Sequence, residues 1–171
     1  MTNVFERKQR VAILGGGPGG YEAAISAAQL GAEVFLIERS GIGGAAVLTD
    51  VVPSKTLIAT AEFTTTLEQA DDLGVRFFTR DEAGSPQKPT VVVDMSAVNK
   101  RLLGLAKATS DDMTGQLQKA GVKVIAGHGR LDGPNAVIAS TGPAGTDFER
   151  IEVDTIIVST GASPRILPTA T

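Results

Sequence analysis

Cysteine is absent from this chain of 171 residues. No disulfide, thiolate metal site or thiol nucleophile is therefore available within it. Histidine occurs once, at His128, which removes a histidine-cluster metal site, and no metal is expected. No apolar run reaches the ~18 residues of a membrane span. The opening residues Met1 to Arg10 are charged and lack an apolar signal core, so the expected location is cytoplasmic. A net charge of −3 provides no basic field for nucleic acid. Neither H-E-x-x-H, zinc-ligand spacing nor a G-x-S-x-G elbow occurs, and no repeat or heptad array is visible. At 42% apolar and 20% charged residues, the composition is that of an ordinary globular domain with one good core.

Glycine is abundant, with 20 residues, and its placement carries the first functional signal. Arg10–Leu14 is an apolar run of strand length. It leads directly into Gly15, Gly17 and Gly20 at G-x-G-x-x-G spacing, with Pro18 and Gly19 between them. Gly15 permits the tight turn out of the strand. Gly17 has no Cβ to keep a pyrophosphate from the backbone, and Gly20 lets the following helix pack close to the strand. The alanine-rich stretch Tyr21–Leu30 favours helix, with a small-residue face at Ala24, Ala27 and Ala28 and a stop at Gly31. The first turn of that helix offers unpaired N–H groups and a partial positive charge to phosphates. Glu33–Ile37 is a second buried strand, ending at Glu38, 18 residues after Gly20. A carboxylate there accepts hydrogen bonds from ribose hydroxyls, and Arg39 lies beside it. A glycine-rich turn without a ligand is the bland alternative.

Gly41, Gly43 and Gly44, with Ala45 behind them, form a second loop that lets backbone approach a ligand. A helix is expected from Ala45 to Asp50, interrupted or kinked by Pro53 and continuing to about Asp72. Residues 81–89 read as a polar loop. A long helix is expected over about 95–120, with Val98, Leu102, Leu105, Met113 and Leu117 on its apolar stripe and Gly121 as its stop. Val122–Ala126 is a third core strand, followed by a turn at Gly127–Arg130. Asn135–Ala139 and Phe148–Val153 read as strands of a small antiparallel meander. Thr155–Ser159 is the last core strand, running into Thr160-Gly161. The fold class is α/β, a Rossmann-like dinucleotide domain with a parallel sheet.

The segment Gly43-Gly44-Ala45-Ala46-Val47-Leu48-Thr49-Asp50-Val51-Val52-Pro53-Ser54-Lys55 resembles the G-G-x-C-x-x-x-x-C-x-P-S-K frame of the pyridine nucleotide-disulfide oxidoreductases, the family of dihydrolipoamide dehydrogenase. Both cysteine positions are substituted, by Ala46 and Val51, so the redox disulfide is lost. The chain looks like the minority branch of that family that works as an NAD(P)H:quinone reductase. The Ser159-Thr160-Gly161-Ala162 turn resembles the family's second landmark, and the resemblance runs over about residues 9–168.

The resemblance implies an FAD-binding domain over 10–168, with a helical insertion at about 91–120 and a β-meander at about 131–154, after a lead-in at 1–9. It implies FAD bound by Gly15, Gly17, Pro18, Gly19, Gly20, Glu38, Arg39, Gly43, Gly44, Ala45, Lys55, His128, Gly129, Thr160 and Gly161. Lys55 would tune the flavin, or it is a solvated helix lysine. His128 would stand near the adenine, or it is an exposed turn histidine. NAD(P)H as donor, a quinone-like acceptor and a homodimeric intact protein follow from the same resemblance. The family's NAD(P) and dimerisation domains are not in this sequence, so a fragment of a longer protein is expected. The competing reading is a non-catalytic FAD- or NAD-binding Rossmann fragment.

Overall fold

A computed structural model describes residues 7–142 and 145–163. Pro164 to Pro168, the tail of the second landmark, lie outside the described residues. In chain order the elements are β1 (Arg10–Leu14), α1 (Pro18–Gln29), β2 (Glu33–Glu38), α2 (Gly44–Leu48) and α3 (Val51–Glu68). A 3-10 turn (Ala70–Leu73) and a minimal hairpin of β3 (Thr79–Arg80) and β4 (Pro86–Gln87) follow. Then come α4 (Met95–Lys119), β5 (Lys123–Ala126), β6 (His128–Leu131), β7 (Ala136–Thr141), β8 (Asp147–Glu152) and β9 (Thr155–Val158).

The central sheet is parallel, in the order β5-β2-β1-β9. Its middle strands are apolar at nearly every position because both faces are covered. Val11, Ile13, Val34 and Leu36 face one way and meet Ala24 of α1 and Leu117 of α4. Ala12, Leu14, Phe35 and Ile37 face the other way and meet Val137, Ala139, Ile151 and Val153. The result is three layers: helices, parallel sheet, and the antiparallel sheet β6-β7-β8. Full burial of residues such as Ile13 and Leu36 contributes about 1.5–3 kcal/mol each. Gly31 and Gly121 both take a positive φ just beyond their helices, as the two stop signals require.

Several local readings shift. The helix expected to break at Pro53 breaks earlier, at Thr49 and Asp50. Pro53 falls in the first turn of α3, where its missing N–H has no intrahelical partner to lose. The stripe of α4 passes through Ala106 and Ser110, both buried, whereas Leu105 is exposed. Residues 127–130 are not a free turn: β6 begins at His128 and pairs with β7, so the meander starts earlier than 131. The stretch 81–89 contains the β4 strand of a hairpin rather than loop alone.

α4 has a true cap. The Asp94 side chain accepts from the backbone N–H of Ser96 (2.9 Å) and Ala97 (3.0 Å). Asp94→Ala is expected to cost about 1 kcal/mol, read as a lower urea midpoint with an unchanged slope.

At the amino end of the sheet, Glu33 accepts from Arg10 Nε (2.9 Å) and Lys123 Nζ (2.6 Å). Both cations also lie over the Phe35 ring, at 4.9 and 4.8 Å. The Lys123 hydrogen bond, with Arg10 beside it, outweighs partial burial and holds the Glu33 carboxyl below the usual carboxylate range. A lowered folded-state value means the stabilisation is full above the unfolded value of about 4.3 and is lost as pH falls through the folded value. Glu33→Gln should therefore lower the urea midpoint at neutral pH. The difference from the wild-type chain should close in acid, below the ordinary carboxylate range.

Candidate functional site

The chain leaves β1 on one side through α1 to β2, and β9 lies on the other side of β1. This reversal of strand order opens a crevice at the carboxyl ends of β1 and β9, the position where open α/β sheets hold ligands. A cleft of about 600 Å³ lies there. Leu14 and Ile37 line it from the sheet, and Gly15, Gly17, Pro18 and Gly19 from the first turn. Glu38, Arg39 and Ser40 follow β2 into it. Gly44, Ala45, Ala46, Leu48 and Thr49 line it from α2 and the break after it. Gly127, His128 and Gly129, and then Ser159 to Ala162, complete the lining.

Backbone hydrogen bonds tie these loops to one another. Gly15 N donates to Ile37 O (2.9 Å), Gly43 N to Gly16 O (2.7 Å), Gly127 N to Glu38 O (2.9 Å) and Ser159 N to Leu14 O (2.8 Å). The three motif glycines differ sharply in surroundings. Gly15 has φ +101°, and an added methyl would lie 2.2 Å from Ser159 O. At Gly20 the methyl would lie 1.9 Å from Gly15 O. At Gly17 it would meet nothing within 4 Å, because that side opens to the cleft. Gly17 is also the N-cap of α1, and no side chain caps the helix. The first-turn amides therefore face a roomy crevice, an arrangement suited to a phosphate anion.

Some expected site residues sit elsewhere. Gly20 lies beneath the cleft and Gly43 in the turn behind it, where a methyl would strike the Val47 side chain. Gly129 lines the cleft, but its lack of a side chain has a packing cause as well. A methyl there would lie 2.5 Å from Leu14 Cδ2. Of the two positions that hold cysteine in the resembled family, Ala46 lines the cleft and Val51 is an exposed first-turn residue of α3. Lys55 is exposed on α3 and is not part of the cleft lining; among the described residues it makes no ion pair. Leu14, Ile37, Ser40, Leu48, Thr49, Ser159 and Ala162 also line the cleft. No motif position marks them; each stands within a few residues of an expected site residue, and adjacency is the available signal. No cluster of His, Cys, Asp or Glu that could hold a metal ion occurs among the described residues. None of the described helices is long and apolar enough to cross a membrane.

The chain is similar to several known proteins. The NAD(P)H dehydrogenase (quinone) of Mycobacterium tuberculosis is 43% identical over 169 residues, covering 94% of this chain and 32% of that protein. The dihydrolipoyl dehydrogenase of Acholeplasma laidlawii is 32% identical over 164 residues, covering 96% of this chain and 44% of that protein. The chain thus spans 32% and 44% of the length of these two relatives. Among solved structures, LpdA of M. tuberculosis superposes with a TM-score of 0.78 at 41% identity, over 95% of this chain and 34% of that one. The flavoprotein disulfide reductase RclA of Escherichia coli shares the fold, with a TM-score of 0.68 at 19% identity over 94% of this chain and 30% of that one. Residues 9–170 match the pyridine nucleotide-disulphide oxidoreductase family, and the chain belongs to it.

Proposed function

We propose that this chain is the FAD-binding part of a flavoprotein NAD(P)H dehydrogenase that delivers electrons to a quinone-like acceptor without a redox disulfide. The observation that carries the reading is Ala46. It lines the cleft at a family cysteine position, in a chain with no cysteine at all. The name of the 43%-identical M. tuberculosis relative supports the same acceptor class.

The residues present fit such a cofactor. The uncapped first turn of α1, open at Gly17, would hold the pyrophosphate. Glu38 would accept from the ribose hydroxyls, and its charge would disfavour a 2′-phosphate there. Arg39, His128 and Gly129 would hold the adenosine portion, and Gly44 and Ala45, with Gly43 setting their turn, would add backbone contact to the pyrophosphate. Thr160 and Gly161 would offer backbone to the flavin portion. When bound, FAD supplies two-electron exchange between NAD(P)H and the acceptor; the protein binds and orients it. Ala46 leaves a small apolar surface in place of sulfur.

The role assigned to Lys55 is to place a cation near the flavin ring when the whole protein is assembled. Lys55→Ala should leave thermal stability within about 0.5 kcal/mol, since the side chain is exposed. It should change the quinone reduction rate by on the order of tenfold, the size of one partly screened charge interaction. Loss of folding, or turnover equal to wild type, would remove that role.

The function itself is tested on the longer protein. Purified with bound flavin, it should oxidise NADH or NADPH with menadione as acceptor. A flavin-loaded protein that NAD(P)H reduces but that does not reduce menadione would refute the acceptor class.

A further inference from the structure

We infer that Glu38 is a positioning residue that locks the two cleft loops together before any ligand binds, a role separate from accepting ribose hydroxyls. Its two carboxylate oxygens serve two different loops. Oε2 accepts from the backbone N–H of Gly16 (2.7 Å), in the turn between β1 and α1. Oε1 accepts from the backbone N–H of Ser40 (2.6 Å), in the loop between β2 and α2. Charge-assisted bonds this short are about twice as strong as neutral ones.

The stem of Glu38 packs on the same turn. A methyl added at Gly16 would lie 3.1 Å from Glu38 Cβ and 2.7 Å from Ile42 Cδ1. Gly43 N adds a third tie, donating to Gly16 O. The carboxylate is thereby held in one orientation at the cleft wall. Each oxygen keeps a further lone pair for a ligand donor, so the lock and the ribose contact are compatible.

The same geometry predicts that neither conservative replacement would serve. Glutamine has a single acceptor oxygen, and its NH₂ would confront one of the two backbone donors. Aspartate is one methylene shorter, so it cannot span both loops from the end of β2. The donors left behind at the cleft edge would lose their partner.

The test is made on the ligand-free chain by NMR amide exchange, and then by nucleotide binding. In the wild type the Gly16 and Ser40 amides should be protected, and Glu38→Gln should accelerate exchange at one or both by on the order of tenfold. Exchange of both at free-loop rates in the wild type would overturn the lock, and this holds even if the variant does not fold. The binding arm rests on the nucleotide reading given above and uses ADP and 2′,3′-dideoxy-ADP. The lock predicts that Glu38→Gln weakens both, because the turn itself is loosened. A purely ribose-accepting role predicts loss for ADP and no change for the dideoxy compound, which would also overturn the lock. A wild-type chain that binds neither nucleotide refutes the nucleotide reading, while the exchange arm still decides the lock.

Discussion

Gly17→Ala is expected to keep the fold and lose the dinucleotide. The backbone at Gly17 has φ −66° and ψ −177°, a conformation alanine adopts readily. No atom lies within 4 Å of the methyl it would gain. The structural cost is the small N-cap difference between glycine and alanine, at most about 1 kcal/mol. The ligand cost is large, because the methyl projects into the space where a pyrophosphate would meet the first-turn amides of α1. Loss of that approach should weaken FAD binding on the order of a hundredfold, about 2.7 kcal/mol. Denaturant melts and FAD titration of the same preparation separate the two effects. A variant that binds FAD as the wild type does would show that the phosphates do not approach at Gly17.

Gly20→Ala should behave in the opposite way. Its methyl would lie 1.9 Å from Gly15 O and 3.0 Å from Gly15 C, both backbone atoms that no rotamer change can move aside. Either α1 lifts from β1 or the turn opens. Overpacking against backbone of this kind costs about 3 kcal/mol or more. For a domain of this size that is a fall in Tm of roughly 6–12 °C. Binding is lost with it, as a consequence of the displaced helix. Three glycines of one motif thus divide by mechanism: Gly17 for the ligand, Gly20 for packing, and Gly15 for its positive φ and the nearby Ser159 carbonyl. Equal destabilisation by Gly17→Ala and Gly20→Ala would contradict this division.

Much of the fold was legible because the parallel strands are covered on both faces. Val11–Leu14 and Val34–Ile37 could be apolar without alternation only in a buried sheet, and Gly31 and Gly121 mark where helices must stop. The cleft was legible in part, since its glycines and Glu38 stand at spacings that chemistry dictates. What escaped depends on contacts distant in sequence. The 127–130 stretch reads as a turn because two glycines flank His128. From His128 on it is a strand because it pairs with β7, and Gly129 leaves room there for Leu14 and Ile37. Leu105 fits the spacing of the α4 stripe by one residue too few, and the small Ala106 takes the buried place. Pro53 was the strongest local breaker, yet the chain turned at Asp50 and used proline in a first turn. Periodicity places Glu38 at the end of a strand, but not the two backbone amides it joins.

Equilibrium titration of this chain with FAD, beside parallel titrations with FMN and NAD, tests the central claim most directly. The account predicts saturable one-to-one binding of FAD that ADP displaces. It also predicts FAD affinity on the order of tenfold above FMN, because FMN lacks the adenosine and pyrophosphate that the glycine turn and Glu38 would hold. Equal affinity for FMN, or binding of NAD in preference to FAD, would contradict it.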